Sequence, residues 1–258
     1  MKPDMNQDCM EPLQKAGQII MENGGETYRA EETVRRMGEG FGLHEVESFA
    51  VPTGLFISFR NPDGSLETSV KRVYRTGRNL TRVDEVNRIS RLCAAGEMKS
   101  EEAMEALGKA ENMRGPVPAA GIVCAALVCA AGFSLLFGGG WKEVLCAGAV
   151  AAVVQTVGLA LTRGGIPWLG NSILGGFLTV LLPLLITHFF RDVMTEATVA
   201  GAMMPLVPGL AMTIAVQDAM RGDMFSGISH GARALLTACM IAGGALMATA
   251  VFRAVTGG

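Results

Sequence analysis

Five long stretches without a charged side chain follow one another in the second half of this 258-residue chain, and they limit what it can fold into. They cover residues 115–141, 144–162, 164–190, 197–217 and 234–252. A helix of about 20 apolar residues spans the ~30 Å hydrocarbon core of a bilayer. The buried helices of soluble proteins rarely reach this length, so five in succession predict a polytopic membrane protein.

The charged residues lie mostly in the first half of the chain. Residues 1–116 contain 35 of the 46 charged side chains, and the remaining 142 residues contain 11. Such a division is typical of a polar domain that precedes membrane spans. The net charge of −2 argues against nucleic acid as a partner, and the many apolar residues argue against disorder. We therefore expect an α-helical polytopic membrane protein with about five transmembrane helices, preceded by a small cytoplasmic α/β domain.

The polar domain, residues 1–114, has the pattern of two helices, three strands and two further helices. The first helix ends at Asn23-Gly24-Gly25, and the other predicted elements are Glu26–Phe41, Glu45–Val51, Leu55–Arg60, Glu67–Tyr74, Thr81–Ala95 and Ser100–Asn112. Residues 115–258 form the transmembrane domain. Many small residues in its spans, as in Gly243-Gly244-Ala245, are interpreted as sites of close helix packing.

The orientation follows from the charges of the loops. No apolar run long enough to be a signal peptide precedes the spans, so we expect the N-terminal domain to stay in the cytoplasm and the protein to lie in the bacterial inner membrane. The predicted inner side then gains Lys109, Arg114, Arg163, Arg221 and Arg233, and the outer side Lys142, Arg191 and Arg253. Five spans place the C-terminus outside.

The polar domain lacks the motifs of common enzymes. It has no GxSxG, Walker or HExxH pattern, and the six cysteines form no CxxC pair, so we predict neither a cofactor nor a metal. Two glycine-containing turns and an arginine cluster could contact a small molecule or a gate, or could form a solvated face. The candidates are Glu26, Thr27, Arg29, Thr53, Gly54, Arg72 and Arg75.

The fourth span contains the most unusual sequence of the membrane half. Pro205 and Pro208, followed by Gly209, remove two backbone donors, so the helix cannot run straight there. Transporters bind substrates at such breaks, and a half-helix N-terminus favours a carboxylate. The alternative is a packing kink without a ligand.

Two carboxylates follow the break at the predicted inner end of the span. Asp218 and Asp223 are candidates for proton relay or substrate contact, because an ionisable side chain near membrane depth is costly. They could instead lie in a loop with Arg221, where Gly222 would set the turn. Gln155 and Asn171 are weaker candidates within the spans. Between spans three and four, an exit gate or a solvated loop would contain His188, Arg191, Asp192 and Glu196.

Several segments together resemble the threonine/serine exporter family. They are GETYRAEET at 25–33, VPTGLFIS at 51–58, PDG at 62–64, RNL at 78–80, VNRISR at 86–91 and PLVPG at 205–209, followed by Asp218 and Gly222-Asp223. The resemblance covers about residues 12–230. It implies an inner-membrane exporter of small hydroxy amino acids or, in a two-subunit branch (YjjP/YjjB-like), of succinate-type dicarboxylates.

The resemblance also predicts a partner. Full-length members have about ten spans, so a chain with five resembles the larger subunit of the split form, with a YjjB-like small membrane subunit as partner and a higher oligomer in the membrane lipid. The chain has no ATP-binding motif, so we expect a secondary transporter driven by the proton gradient, most simply for threonine or serine, alternatively for succinate. A membrane-anchored enzyme or sensor that acts through residues 8–114 is the alternative from another class.

Overall fold

The computed structural model describes residues 7–74, 77, 79–115, 117–190 and 192–256. These residues divide into two compact units, each described here by itself. The first unit comprises residues 1–116 and 214–230, and the second comprises 117–213 and 231–258. The first half of the chain forms α1 (Gln7–Glu22), α2 (Thr27–Gly40), β1 (His44–Val51), β2 (Gly54–Arg60), β3 (Leu66–Arg72), α3 (Leu80–Ala94) and α4 (Ser100–Glu111).

The second half of the chain is helical throughout its described elements. These are α5 (Ala119–Leu136), α6 (Trp141–Arg163), α7 (Trp168–Phe189), α8 (Thr195–Met203), a 3₁₀ turn (Met204–Leu206), α9 (Gly209–Met220) and α10 (Met224–Thr256). The end of α9 and the beginning of α10 belong to the first unit.

The first unit contains an antiparallel sheet with the order β1-β2-β3. One face packs on the helices, and its side chains Leu55, Ile57 and Phe59 are almost completely buried. The alternate residues of the same strands face outward, so that Phe49, Phe56 and Val70 stay exposed. The sequence predicts these three strands, and β3 differs from its predicted range by beginning one residue earlier and ending two residues earlier.

The second unit depends on close contacts between helices. Its core is rich in small side chains, among them Ala130, Ala147 and Ala202. A Cβ atom on Gly176 of α7 would lie 2.2 Å from the carbonyl oxygen of Ile241 on α10. On α10, a Cβ atom on Gly244 would lie 2.1 Å from the carbonyl oxygen of Ile173. These two glycines therefore allow the backbones of α7 and α10 to touch.

Four described helices, α5, α6, α7 and α10, are long and apolar enough to cross a membrane. The pair α8 and α9, bent by 53° at the 3₁₀ turn, makes up to five. The protein is thus mostly helical, as expected of a polytopic membrane protein. Helix α10 begins ten residues before the predicted span at 234, because Asp223 provides an N-terminal cap and no proline follows it.

Candidate functional site

The loop between α9 and α10 packs on the beginning of α2 within the first unit. Gly222 has a positive φ of 92°, which lets the chain turn sharply, and Asp223 follows it. The carboxylate of Asp223 accepts the backbone N–H of Ser226 at 3.0 Å, which caps α10. Its second oxygen accepts the hydroxyl of Thr27 at 3.1 Å. Asp223 therefore joins the first turn of α2 to the first turn of α10.

Asp218 lies in the last turn of α9 and is 1% exposed. Its Oδ2 atom has no hydrogen-bond partner among the described residues. The nearest described base is His230 of α10, whose Nε2 lies 3.9 Å away, beyond hydrogen-bond distance. A buried carboxylate oxygen without a donor is costly, and such a group is rare unless it has a role beyond stability.

Further charged groups surround this pair. Glu26 and Asp223 act electrostatically on Asp218 as like charges, and Arg221 acts as an opposite charge. Arg221 is partly engaged elsewhere, because its guanidinium carbon lies 3.7 Å from the centre of the Tyr28 ring. Glu26 is paired with Arg29 at 2.7 Å. We name the group of Glu26, Thr27, Asp218, Asp223 and His230 the acidic site.

Glu31, at the edge of this site, and Asp223, within it, have different electrostatic environments. Burial raises the pKa of the Glu31 carboxyl, the N–H of Ala50 opposes the increase, and the charge of Asp223 adds to it. Burial also opposes the charged form of Asp223, but hydrogen bonds from Ser226 and Thr27 outweigh it and hold the pKa of Asp223 below its usual value. Asp223 therefore remains a fixed negative charge.

The second candidate region is the break between α8 and α9. Pro205 lies in the 3₁₀ turn, Val207 is extended with a ψ of 130°, and Pro208 precedes α9. The N–H groups of Leu210 and Ala211 in the first turn of α9 have no backbone acceptor in the part of the chain that is described. A Cβ atom on Gly209 would meet nothing within 4 Å, so the start of α9 faces open space.

A cleft of about 140 Å³ in the second unit reaches the same 3₁₀ turn. Gln155, Asn171 and Leu206 line it. The amide of Asn171 donates to the carbonyl of Gly158 at 3.4 Å and to the hydroxyl of Thr162 at 3.3 Å, which links α7 to α6. Both polar candidates of the spans therefore face one small cleft beside the broken helix.

Comparison with known proteins assigns the chain to a family. The ThrE family, described as "Putative threonine/serine exporter", matches residues 13–252. The chain belongs to the threonine/serine exporter family. The family is one of transporters rather than enzymes, and its apolar helices make this member a multi-pass membrane protein.

Individual relatives are similar at low identity. The chain is 22% identical over 231 residues to a "Probable threonine/serine exporter" of Mycobacterium tuberculosis, and 22% identical over 216 residues to the "Threonine/serine exporter" of Corynebacterium glutamicum. These matches cover 89% and 81% of this chain but only 44% of each relative, so the chain spans less than half of their length. It is 24% identical to a "Probable succinate transporter subunit YjjP" of Klebsiella aerogenes, with 89% of this chain and 88% of the relative covered. No solved structure matches the chain.

The structure of this family member brings some of the predicted site residues together. Glu26, Thr27, Asp218 and Asp223 meet in the acidic site, and Arg29 borders it through its ion pair. Thr53 instead lies in the β1–β2 turn, where its carbonyl accepts the N–H of Val73, and Gly54 is the first residue of β2. Arg72 lies over the ring of Tyr74 at 5.6 Å, and Arg75 is outside the described residues.

The residues predicted as an exit gate have separate contacts. His188 packs edge-on against Phe189 and Phe252, and Asp192 is 3.4 Å from the ammonium of Lys142. Glu196 is in the first turn of α8, and Arg191 is outside the described residues. No hydrogen bond or ion pair joins His188, Asp192 and Glu196 within the described ranges.

Two residues of the site region are absent from the predicted set. Glu31 extends from α2 to the N–H of Ala50 at 2.8 Å, and His230 faces Asp218. His230 is one of only three histidines and lies where α10 becomes apolar, which is a weak signal. Its pairing with Asp218 depends on the turn at Gly222, which brings residues 12 positions apart together.

Proposed function

We propose that this protein is a subunit of a bacterial inner-membrane exporter that moves threonine or serine outward and uses the proton gradient. Residues 1–114 would lie in the cytoplasm. The family and the names of its relatives support export as the activity. The observation that supports the finer proposal best is the acidic site, with the buried and unpartnered Oδ2 of Asp218 at its centre.

The charge of the acidic site favours a cationic group. Glu26 is neutralised by Arg29, while Asp218 and Asp223 lack an equally close cation in the described chain. An ammonium group or a proton gains free energy at such a position, and a second carboxylate loses it. An amino acid offers the ammonium group, whereas succinate offers two negative charges.

Within this proposal the two aspartates have different roles. Asp223 holds the site in shape through its bonds to Ser226 and Thr27. Asp218 takes up and releases the proton, because its carboxylate is buried, its Oδ2 has no donor among the described residues, and burial favours the protonated form. His230 lies close enough to exchange a proton with Asp218 through one water molecule.

The start of α9 would bind the carboxylate of a substrate at a separate position from the acidic site, because Gly209 and Asp218 are about 13 Å apart along the helix. The N–H groups of Leu210 and Ala211 have no backbone acceptor among the described residues, and a helix N-terminus attracts anions through such groups and through the helix dipole. Pro205 and Pro208 are needed to expose them, and the neighbouring cleft with Gln155 and Asn171 would offer polar contacts to a small side chain.

The proposed complex includes a second, YjjB-like membrane subunit. The chain matches only 44% of the length of the full exporters, and the remaining part of those relatives would correspond to that subunit. The match to 88% of a YjjP subunit supports the same arrangement.

A transport assay tests this function directly. Proteoliposomes loaded with labelled serine, threonine or succinate are placed in acidic medium, with this chain alone and with its small subunit. We expect release of serine and threonine only when both subunits are present. Folded protein that releases none of the three compounds in either preparation would contradict the proposal.

Succinate export is the second candidate, because the chain covers most of the length of the YjjP relatives. It would require the acidic site to be protonated or to lie off the substrate path. Release of succinate but not of serine or threonine in the same assay would select this alternative. No described contact favours an enzyme or a sensor over transport.

A further inference from the structure

The two edges of the sheet in the first unit differ in whether a helix covers them. At the β1 edge, the N–H of Ala50 points away from β2 and is bonded to Glu31 of α2 at 2.8 Å. The hydroxyl of Ser48 donates to the backbone carbonyl of the same Glu31 at 3.2 Å. Helix α2 therefore covers this edge and prevents another strand from adding to it.

The β3 edge lacks such a cover among the described residues. The register pairs Ser69 with Ile57, and the N–H of Val73 bonds to the carbonyl of Thr53 at 3.0 Å. In an antiparallel ladder, hydrogen-bonded pairs of residues alternate with non-hydrogen-bonded pairs. Because Val73, just after β3, is bonded to Thr53, just before β2, the odd-numbered residues of β3 bond to β2 as well. The even-numbered residues direct their backbone N–H and C=O groups away from β2. The outward groups are those of Leu66, Thr68, Val70 and Arg72, and no described residue bonds to them.

The side chains beside this edge are also uncovered. Leu66 is 64% exposed and Val70 is 58% exposed. Glu67 and Lys71 lie on the opposite face, and neither has an ion-pair partner among the described residues. An exposed edge of this length is ready to pair with another strand.

The charge pattern of β3 fits a second copy of itself. If two β3 strands pair antiparallel about a two-fold axis through Ser69, Glu67 of each copy faces Lys71 of the other. Thr68 faces Val70 of the other copy in the same register. In this register the backbone N–H and C=O groups of the even-numbered residues face the other copy. These are the groups that β2 leaves without a partner, and they would form about eight backbone hydrogen bonds.

We propose that the β3 edge, residues 66–72, joins two copies of this chain into a dimer by antiparallel β3–β3 pairing centred on Ser69, which produces a six-stranded sheet. Opposite charges that face each other across strands stabilise this register, and like charges destabilise it. The inference is independent of the substrate and of the proton coupling proposed above.

Disulfide crosslinking of the full chain tests the pairing. In the proposed register the two Ser69 residues form a non-hydrogen-bonded pair with Cα atoms about 4.5 Å apart, which suits a disulfide. We expect Ser69→Cys, oxidised in native membranes, to form a species of twice the chain mass. Ser65→Cys is the matched control, because its two copies would be about 26 Å apart along the strands. Equal crosslinking of both variants, or of neither, would overturn the proposal.

A second pair of variants avoids the contact between Ser69 and Gln14 on the inner face. Thr68→Cys and Val70→Cys lie on the exposed face, and chains with different tags can be co-expressed. We expect the mixed pair to crosslink more than either variant with itself, because only the mixed pair is directly opposite. Preferential self-crosslinking would refute the register.

Charge reversal in the Ser69→Cys background tests the complementarity. Glu67→Lys or Lys71→Glu alone creates like charges across the axis and should reduce the dimeric fraction several-fold. The combined variant restores opposite charges and should recover the original fraction. Failure of the combined variant to recover, while its elution in detergent remains normal, would contradict the proposed pairing.

Discussion

Two adjacent glycines of α10 allow the helix contact of the second unit to be tested within one helix. A Cβ atom on Gly244 would lie 2.1 Å from the carbonyl oxygen of Ile173 and 2.7 Å from the backbone nitrogen of Phe177. A Cβ atom on Gly243 would meet nothing within 4 Å. Alanine at both positions adds the same methyl group to the same helix, so only the contact with α7 distinguishes the two variants.

The magnitudes follow from these distances. Gly243→Ala should stabilise the protein by about 0.5–1 kcal/mol, because alanine loses less backbone entropy in a helix than glycine does. Gly244→Ala gains the same amount, but α7 and α10 must separate by more than 1 Å to reach ordinary contact, and such overpacking costs about 1–3 kcal/mol or more. We therefore expect Gly244→Ala to be less stable than Gly243→Ala by roughly 1–3 kcal/mol, or several degrees in Tm.

The assay is thermal stability of the purified full chain in detergent. The fraction that remains monodisperse after heating is measured by size-exclusion chromatography for the wild type and both variants. Gly176→Ala should behave like Gly244→Ala, because its methyl group would lie 2.2 Å from the carbonyl oxygen of Ile241. Equal midpoints for Gly243→Ala and Gly244→Ala would refute the close contact of α7 with α10.

Three further predictions concern the first unit. Asp223→Ala should reduce the stability of the protein by about 1 kcal/mol, because α10 loses its N-terminal cap. Asp223→Asn keeps a capping oxygen and should leave the stability nearly unchanged in the same thermal assay. Equal losses of stability in the two variants would contradict the capping role. The pKa of Glu31 is raised by burial above its usual value near 4.5, so the folded protein binds this proton more tightly, and stability falls as the pH rises through the raised pKa. Glu31→Gln keeps an acceptor for Ala50 and should gain stability relative to the wild type between pH 4 and 7; parallel pH profiles would refute this assignment. Burial raises the pKa of the Cys93 thiol to about 11, so a maleimide at pH 7.5 should label Cys93 only after unfolding, as peptide mass spectrometry can show; fast labelling of the native protein would contradict the burial.

Local patterns in the sequence predict much of the fold because they act over short distances. The alternation of Glu45–Val51 and the turns that bound the next two runs predict three strands to within two residues, and the Asn61-Pro62-Asp63-Gly64 turn between β2 and β3 has its glycine at a positive φ. Uncharged length predicts the membrane helices, and two prolines predict the interruption observed between α8 and α9. The beginning of α10 is missed, because polar residues before 234 hide a helix that Asp223 caps.

The arrangement of the acidic site is only partly predictable. A glycine-rich turn points to Thr27, and carboxylates that follow an apolar span point to Asp218 and Asp223. That Thr27 and Asp223 meet depends on a hydrogen bond between residues 196 positions apart. The same holds for Glu31 at the β1 edge and His230 beside Asp218. These contacts depend on the packing of elements that are far apart in the chain. A single sequence has no local pattern from which such packing can be predicted.

The central claim is that Asp218 is the proton site of an exporter. It is tested by measuring threonine efflux driven by a proton gradient and threonine exchange without a gradient. Proteoliposomes with the assembled complex are loaded with labelled threonine and diluted either into acidic medium or into unlabelled threonine at equal pH. For the wild type we expect the inward proton gradient to accelerate efflux. Asp218→Asn should lose this acceleration and retain exchange, because exchange needs no net proton movement, whereas Asp223→Asn should respond to the gradient like the wild type. An undiminished response of Asp218→Asn to the gradient would contradict the account.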